Sequence, residues 1–255
     1  MTISSQHNRK LKEIRKLRQR RRWRERSGRF VAEGEDLLAA ADAAGWPAVE
    51  RYCAAGSGLA GTEVEEDLLA SASGLGSGTR TLAVYDERWA ERPLGPLCVY
   101  LHGLQDPGNV GTILRSAQAF GGSSVALGTG TADPFSLKGV RASMGAVFSV
   151  PLAKATRVSE LPGVKVALVP GAGVLLHELC CSTLSIPKSG SKVPEISLLV
   201  GAEREGLPQE VVEQADLTAH IPIATNSLNA AMAATIALYE LATRMARDMK
   251  EAKDG

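Results

Sequence analysis

The sequence predicts an α/β protein in two parts, a small N-terminal module followed by a larger domain with a mostly parallel sheet. Three observations predict it. Short apolar runs alternate with amphipathic stretches through the 255 residues, the pattern of layered strands and helices. The strand candidates of the second half, 97–103, 123–127, 147–150, 164–169, 196–201 and 217–221, are near-continuously apolar, as strands covered on both faces are. And D-P-G-N-V-G-T-I-L-R at 106–115 follows the apolar run 97–101 and precedes Ile113, Leu114, Ala117 and Phe120 on one helical face, so strand, Gly-rich turn and helix succeed one another.

In chain order, residues 7–26 are expected to be one helix, with Leu11, Ile14 and Leu17 as a thin apolar stripe among bases. Strand, turn and helix follow over 30–41, a strand at 49–54, a short helix at 65–70 and a strand at 81–85. The Gly/Ser-rich stretch 71–78 is expected to be a mobile loop, 86–96 a linker carrying Pro93 and Pro96, 186–194 a polar loop and 228–249 the final helix, with Arg244, Arg247 and Lys250 near its end. The expected domains are 1–90 and 97–255.

Charge is unevenly spread. Residues 1–29 hold twelve bases and two acids, a net +10, so in a chain of net +1 the other 226 residues sum to −9. A basic arm on an acidic body points to a polyanionic partner. A basic amphipathic helix on a membrane surface is the alternative, weakened by the shortness of the stripe and by Trp23 being its sole aromatic. No apolar run reaches a membrane span, and the polar N-terminus argues against secretion. Cys53, Cys98, Cys180 and Cys181 lack metal-site spacing, so reduced thiols, a cytoplasmic setting and no structural metal are expected.

Two more stretches resemble the first. L-L-V-G-A-E-R-E-G-L-P at 198–208 ends an apolar strand in a Gly-flanked turn, and H-I-P-I-A-T-N-S-L-N-A at 220–230 runs into an apolar helix. Asn109, Gly111 and Arg115, then Gly201, Glu203 and Gly206, then Ile221, Pro222 and Asn229 together resemble the three motifs of the SpoU (TrmH-like) family of RNA 2′-O-ribose methyltransferases, of the SPOUT class. The likeness is close over 97–245. The front module, opening R-K-L-K-E-I-R-K-L and continuing R-F-V-A-E-G-E-D-L-L, resembles the ribosomal-protein-like RNA-binding domain that precedes many such catalytic domains. The ordinary Rossmann methyltransferase fingerprint is not evident.

The resemblance implies a SPOUT α/β domain with a C-terminal trefoil knot and S-adenosylmethionine as cofactor. It implies methyl transfer to a ribose 2′-OH of structured RNA, ribosomal RNA first and tRNA as an alternative, by a homodimer. It places Gly201, Gly206, Ile221, Pro222 and Leu228 at the cofactor, and Asn109, Arg115, Glu203, Ser227 and Asn229 at the chemistry. Arg115 stays protonated, so clamping the phosphate beside the target ribose or stabilising a developing alkoxide suits it better than base catalysis. Asn109 and Asn229 are candidates to orient the hydroxyl or Arg115. Glu203 has three open roles: anchoring Arg115, anchoring its loop, or capping a helix. Ser227 is either a cap for the last helix or catalytic. Arg9, Lys10, Arg18 and Arg22, with Lys138 and Arg141 three apart on one helical face, are expected to meet RNA phosphates. His102 and His177 are expected to be structural. Family members commonly carry Val-Ser after Ser-Leu-Asn; Ala230-Ala231 stand here. Two other readings remain open, a non-catalytic RNA-binding or ribosome-assembly protein on the same fold, and a nucleotide-binding dehydrogenase, disfavoured for want of a dinucleotide fingerprint.

Overall fold

The computed structural model describes residues 2–74, 78–179, 195–225 and 227–254, with side chains as far as Arg247. Cys180, Cys181, the expected loop 186–194 and the Lys250 side chain lie outside the described residues. The chain forms two compact units. One comprises Met1–Arg88 and Asp133–Ser149, the other Trp89–Ala132 and Val150–Gly255.

In the first unit Asn8 caps helix α1 (Arg9–Gln19) by accepting from the Lys10 amide at 2.9 Å. The expected single helix is two. Arg20 is extended, and α2 (Arg21–Ser27) ends at the left-handed Gly28. Strands β1 (Arg29–Glu33), β2 (Glu50–Ala54), β3 (Thr62–Val64) and β4 (Thr81–Asp86) form a sheet in the order β1-β4-β2-β3. Only the β2–β3 pair is parallel. Helices α3 (Glu35–Ala43) and α4 (Glu66–Ala72) complete the module, so 71–72, expected in a loop, are helical. Strand alternation gives the sheet two cores. Val31, Tyr52, Ala54, Leu82 and Val84 pack with Leu11, Ile14 and Leu17 of α1 and with Leu69 and Ala72 of α4. The thin stripe of α1 is therefore core, at most 1% exposed. The neighbouring positions Phe30 and Tyr85 join Trp46, Phe135 and Phe148 in an aromatic cluster with centroids 4.7–5.9 Å apart.

Two of those aromatics come from 133–149, expected in the catalytic domain but grouped here with the N-terminal unit. Helix α6 (Leu137–Ser143) and a 3-10 turn, Ala146–Phe148, make up most of this segment. Of the expected strand 147–150, Val147 and Phe148 lie instead in that turn, and Phe148 is spent on the aromatic cluster. Two ion pairs fix the segment. Arg24, 5% exposed, meets Asp133 at 2.7 Å, and Arg141 meets the fully buried Glu33 at 2.6 Å.

The second unit is a seven-stranded parallel sheet. Its strands are β5 (Leu97–Leu101), β6 (Ser124–Leu127), β7 (Leu152–Lys154), β8 (Val164–Leu168), β9 (Val174–Leu175), β10 (Ile196–Val200) and β11 (Leu217–His220), in the order β7-β6-β5-β10-β8-β11-β9. All pairs are parallel, and β5 and β10, side by side, are buried throughout. Helices α5 (Pro107–Ala119), a short α7 (Gln209–Val212) and α8 (Ala230–Asp254) belong to this unit, and α5 packs on α8. Because the strands run one way, the segments after β5, β8, β10 and β11 emerge at one end of the sheet, where open α/β sheets bind ligands. No helix is long and apolar enough to cross a membrane among the described residues.

Candidate active site

The first motif is a helix start. Asp106 accepts from the Gly108 amide at 2.7 Å and Pro107 opens α5, where its missing N–H costs nothing. Asn109 thus sits in the first turn, while Val110, Ile113, Leu114 and Ala117 are fully buried. Arg115 is exposed and has no ion pair or side-chain hydrogen bond among the described residues.

The second motif is a closed loop. Ala202 and Gly206 exchange backbone hydrogen bonds of 3.1 and 3.0 Å, with Gly206 left-handed at φ 69°. A Cβ on Gly201 would stand 2.2 Å from the Gly206 carbonyl carbon. What requires glycine at 201 is thus the loop's own backbone, a physical reason different from the expected approach to a cofactor. The third motif ends in a cap: Asn229 Oδ1 accepts from the amides of Ala231 and Met232, at 3.0 and 3.2 Å. Asn229 therefore takes the capping role weighed for Ser227, which is exposed.

These three elements are joined. Asn229 Nδ2 donates to Asn109 Oδ1 at 3.2 Å, and Asn109 Nδ2 donates to Glu203 Oε1. The helix amides fix the direction of the chain. Because Asn229 Oδ1 is held by two N–H donors, its NH2 must face Asn109, whose NH2 then faces the carboxylate. Glu203 thus anchors Asn109 rather than Arg115, and each amide keeps a second N–H.

Beside this chain lies a cavity of about 280 Å3, lined by Gly201, Glu203, Gly206, Ile221, Ser227 and Leu228 among others, near the lower end of small-molecule sites (~300–1,000 Å3). Pro222, Asn109, Arg115 and Asn229 do not line it. Residues the sequence did not single out do: Leu168 at the end of β8, Val169 and Pro170 just after it, Arg204, Glu205 and His220. His220 Nδ1 lies 3.2 Å from the Ala172 carbonyl, to which it can only donate, because a carbonyl oxygen accepts. Strand-end position alone could have flagged 168–170 and 220. His102 bonds the Tyr100 hydroxyl at 3.1 Å; desolvation lowers its pKa, opposed by the charge of Glu210.

Among the expected phosphate contacts, Arg9, Arg22 and Lys138 are exposed. Lys10 pairs with Glu50 at 3.2 Å. Arg18 and Arg141 are engaged within the first unit. Arg18 donates to the carbonyls of Ala72 and Ser73 at the end of α4, and Arg141 is spent on Glu33. Both hold the first unit together. No cluster of three or more His, Cys, Asp or Glu suited to a metal occurs among the described residues.

Residues 96–239 match the SpoU rRNA Methylase family model, and residues 8–84 match the MRM3-like substrate binding domain. The chain belongs to the SpoU rRNA methylase family. It is 36% identical over 143 residues to the 23S rRNA (guanosine(2553)-2′-O)-methyltransferase RlmP of Bacillus subtilis, covering 55% of this chain and 56% of that one. It spans about half the length of the curated relatives it matches. Similar solved structures include an AdoMet-bound rRNA methyltransferase from Sinorhizobium meliloti, with TM-score 0.80, 31% identity and coverage of 96% of this chain and 97% of that one. Another is the SpoU methyltransferase AviRb from Streptomyces viridochromogenes with AdoMet, at TM-score 0.79 and 25% identity, covering 93% and 98%.

Proposed function

We propose that the protein is an S-adenosylmethionine-dependent RNA 2′-O-ribose methyltransferase acting on ribosomal RNA, with tRNA as the alternative substrate. The observation that carries this reading is the hydrogen-bonded chain Asn229–Asn109–Glu203 beside the cavity. The cavity fits the cofactor's chemistry. Ile221, Ile223 and Leu228 supply apolar wall, and Glu203 and Glu205 supply negative charge against a sulfonium. When bound, the cofactor supplies an electrophilic methyl group on a good leaving group. The protein's work is then positioning and charge. Gly201, Gly206, Ile221 and Leu228 hold the donor, with Pro222 stiffening the loop. The free N–H groups of Asn109 and Asn229 orient the acceptor ribose, and Arg115 clamps the neighbouring phosphate or the developing alkoxide. Ser227 at the cavity is a further contact. Dimerisation through α8, a trefoil knot in the C-terminal region and a cytoplasmic setting belong to the same proposal.

Calorimetric titration with S-adenosylmethionine, followed by transfer of labelled methyl to ribosomal RNA and to tRNA and nucleoside analysis for 2′-O-methyl, tests the reading. Cofactor binding with label recovered on ribose is expected. A chain that binds RNA but no cofactor is the non-catalytic assembly protein instead.

A further inference from the structure

The fold separates the N-terminal cations into two classes. Lys10, Arg15, Arg18, Arg21 and Arg24 are engaged, with Glu50, with Gln6 and Ser71, with the end of α4, with Glu25 and with Asp133. Arg9, Lys12, Lys16, Arg20, Arg22 and Arg26 are exposed and have no ion pair among the described residues. On a 3.6-residue helix Arg9, Lys12 and Lys16 fall opposite the buried Leu11, Ile14 and Leu17. Arg20 continues the row at the break between α1 and α2. Steps of three to four residues place successive charges about 4.5–6 Å apart along the axis, over roughly 16 Å in all. The Lys16 ammonium stands 4.3 Å from the centre of the Trp23 ring, whose edge packs against the core. That contact holds a flexible chain in one place.

We infer that Arg9, Lys12, Lys16 and Arg20 form a track for the phosphates of one RNA strand, with Trp23 as the positioning residue for Lys16. The inference rests on the proposed RNA methyltransferase function and names which face meets the substrate. Row, spacing and the lack of an ion pair at any of the four among the described residues suit a polyanion with regularly spaced charges. A membrane surface suits it less, because the apolar face that would enter lipid is the module's own core.

The test uses the full chain and a short fluorescein-labelled single-stranded RNA, titrated at several salt concentrations. Changing Arg9, Lys12, Lys16 and Arg20 together to Gln leaves the buried face untouched. It should flatten the slope of log affinity against log salt by roughly 0.7 per lost contact, about 2–3 in total. Lys10→Gln with Arg21→Gln, a control on paired cations, should change it by less than one such step. RNA should also change the Trp23 fluorescence, a signal lost in Trp23→Phe. An unchanged slope in the fourfold variant overturns the track, as does loss of binding to phosphatidylserine vesicles with RNA binding intact. Methyl transfer by the unaltered chain is followed in parallel. Transfer with an unchanged slope sinks the track alone, whereas a flattened slope without cofactor binding sinks the enzymatic reading alone.

Discussion

At the scale of single residues, the site divides between groups held in place and one left free. Asn109, Asn229 and Glu203 restrain one another, while Arg115 has no partner among the described residues. A cation without an internal counter-charge is available to a substrate anion. Arg115→Ala should lower methyl transfer about 100- to 1,000-fold, as removing one donor to a developing oxyanion costs about 2.7–4 kcal/mol, with S-adenosylmethionine affinity unchanged by calorimetry. Arg115→Lys should restore only part of the rate, since an ammonium lacks the planar fork; equal loss of cofactor binding would assign Arg115 to the fold. Residue types and spacing were legible for all three motifs, because Asn, Gly, Arg and Glu at fixed offsets survive as text. Who bonds whom was not. That Glu203 holds Asn109 depends on a helix start and a loop 94 residues apart in sequence, and that Gly201 answers to Gly206 depends on how tightly one loop closes.

Elements show where periodicity carries information and where it fails. Strands β5 and β10 are solid apolar runs and were placed almost to the residue. Strands β3 and β9, three and two residues long, are too short to show a period. The run at 147–150 is apolar for another reason: Val147, Phe148 and Val150 are buried without forming a strand, Phe148 in the aromatic cluster of the first unit. Burial within β5 has a measurable consequence. Desolvation raises the Cys98 thiol to about 11 from 9, hydrogen bonds from Ser124 and Ser197 opposing. A raised thiol pKa favours the folded state while the thiol is protonated. That contribution is whole below pH 9 and is lost as pH climbs towards 11, on the order of 3 kcal/mol for two pH units. Cys98→Ala should therefore flatten the fall of urea-unfolding stability between pH 9 and 11, and iodoacetamide should reach Cys98 only on unfolding. Helix α8 offers a second check. Asn229→Ala removes its cap at about 0.5–2 kcal/mol, whereas Ser227→Ala should leave the melting temperature in place; the reverse order would return the cap to Ser227.

At the scale of the molecule, the first compact unit takes in residues 133–149 from the far side of 44 intervening residues, while the family models divide the chain in sequence, at 8–84 and 96–239. No local signal announces that, since Phe135 and Phe148 find Phe30 only in space. Arg24→Ala leaves Asp133, 12% exposed, without its cation inside that unit, and should cost about 3–5 kcal/mol in urea unfolding; a change below 1 kcal/mol would make the pair ornamental. The same packing alters what a truncation can show. Removing 1–26 would take away more than the basic arm, since it strips Leu11, Ile14 and Leu17 from the core at about 2–5 kcal/mol each, so charge substitution is the cleaner experiment. The other unit leaves a different surface unsatisfied. Met232, Ile236 and Tyr239, spaced four and three apart on α8, are 62%, 42% and 55% exposed, while Ala234, Ala237, Leu238 and Leu241 face inward, at most 0% exposed. A helix with one face in the core and a second apolar row in water offers a surface on which a partner could dock. A second copy of the chain is the expected one, and sedimentation velocity at micromolar concentration should give a dimer. Met232→Glu with Ile236→Glu should convert it to a folded monomer, because neither side chain contributes to the core. A wild-type monomer, or a dimer indifferent to both charges, would remove α8 from the interface.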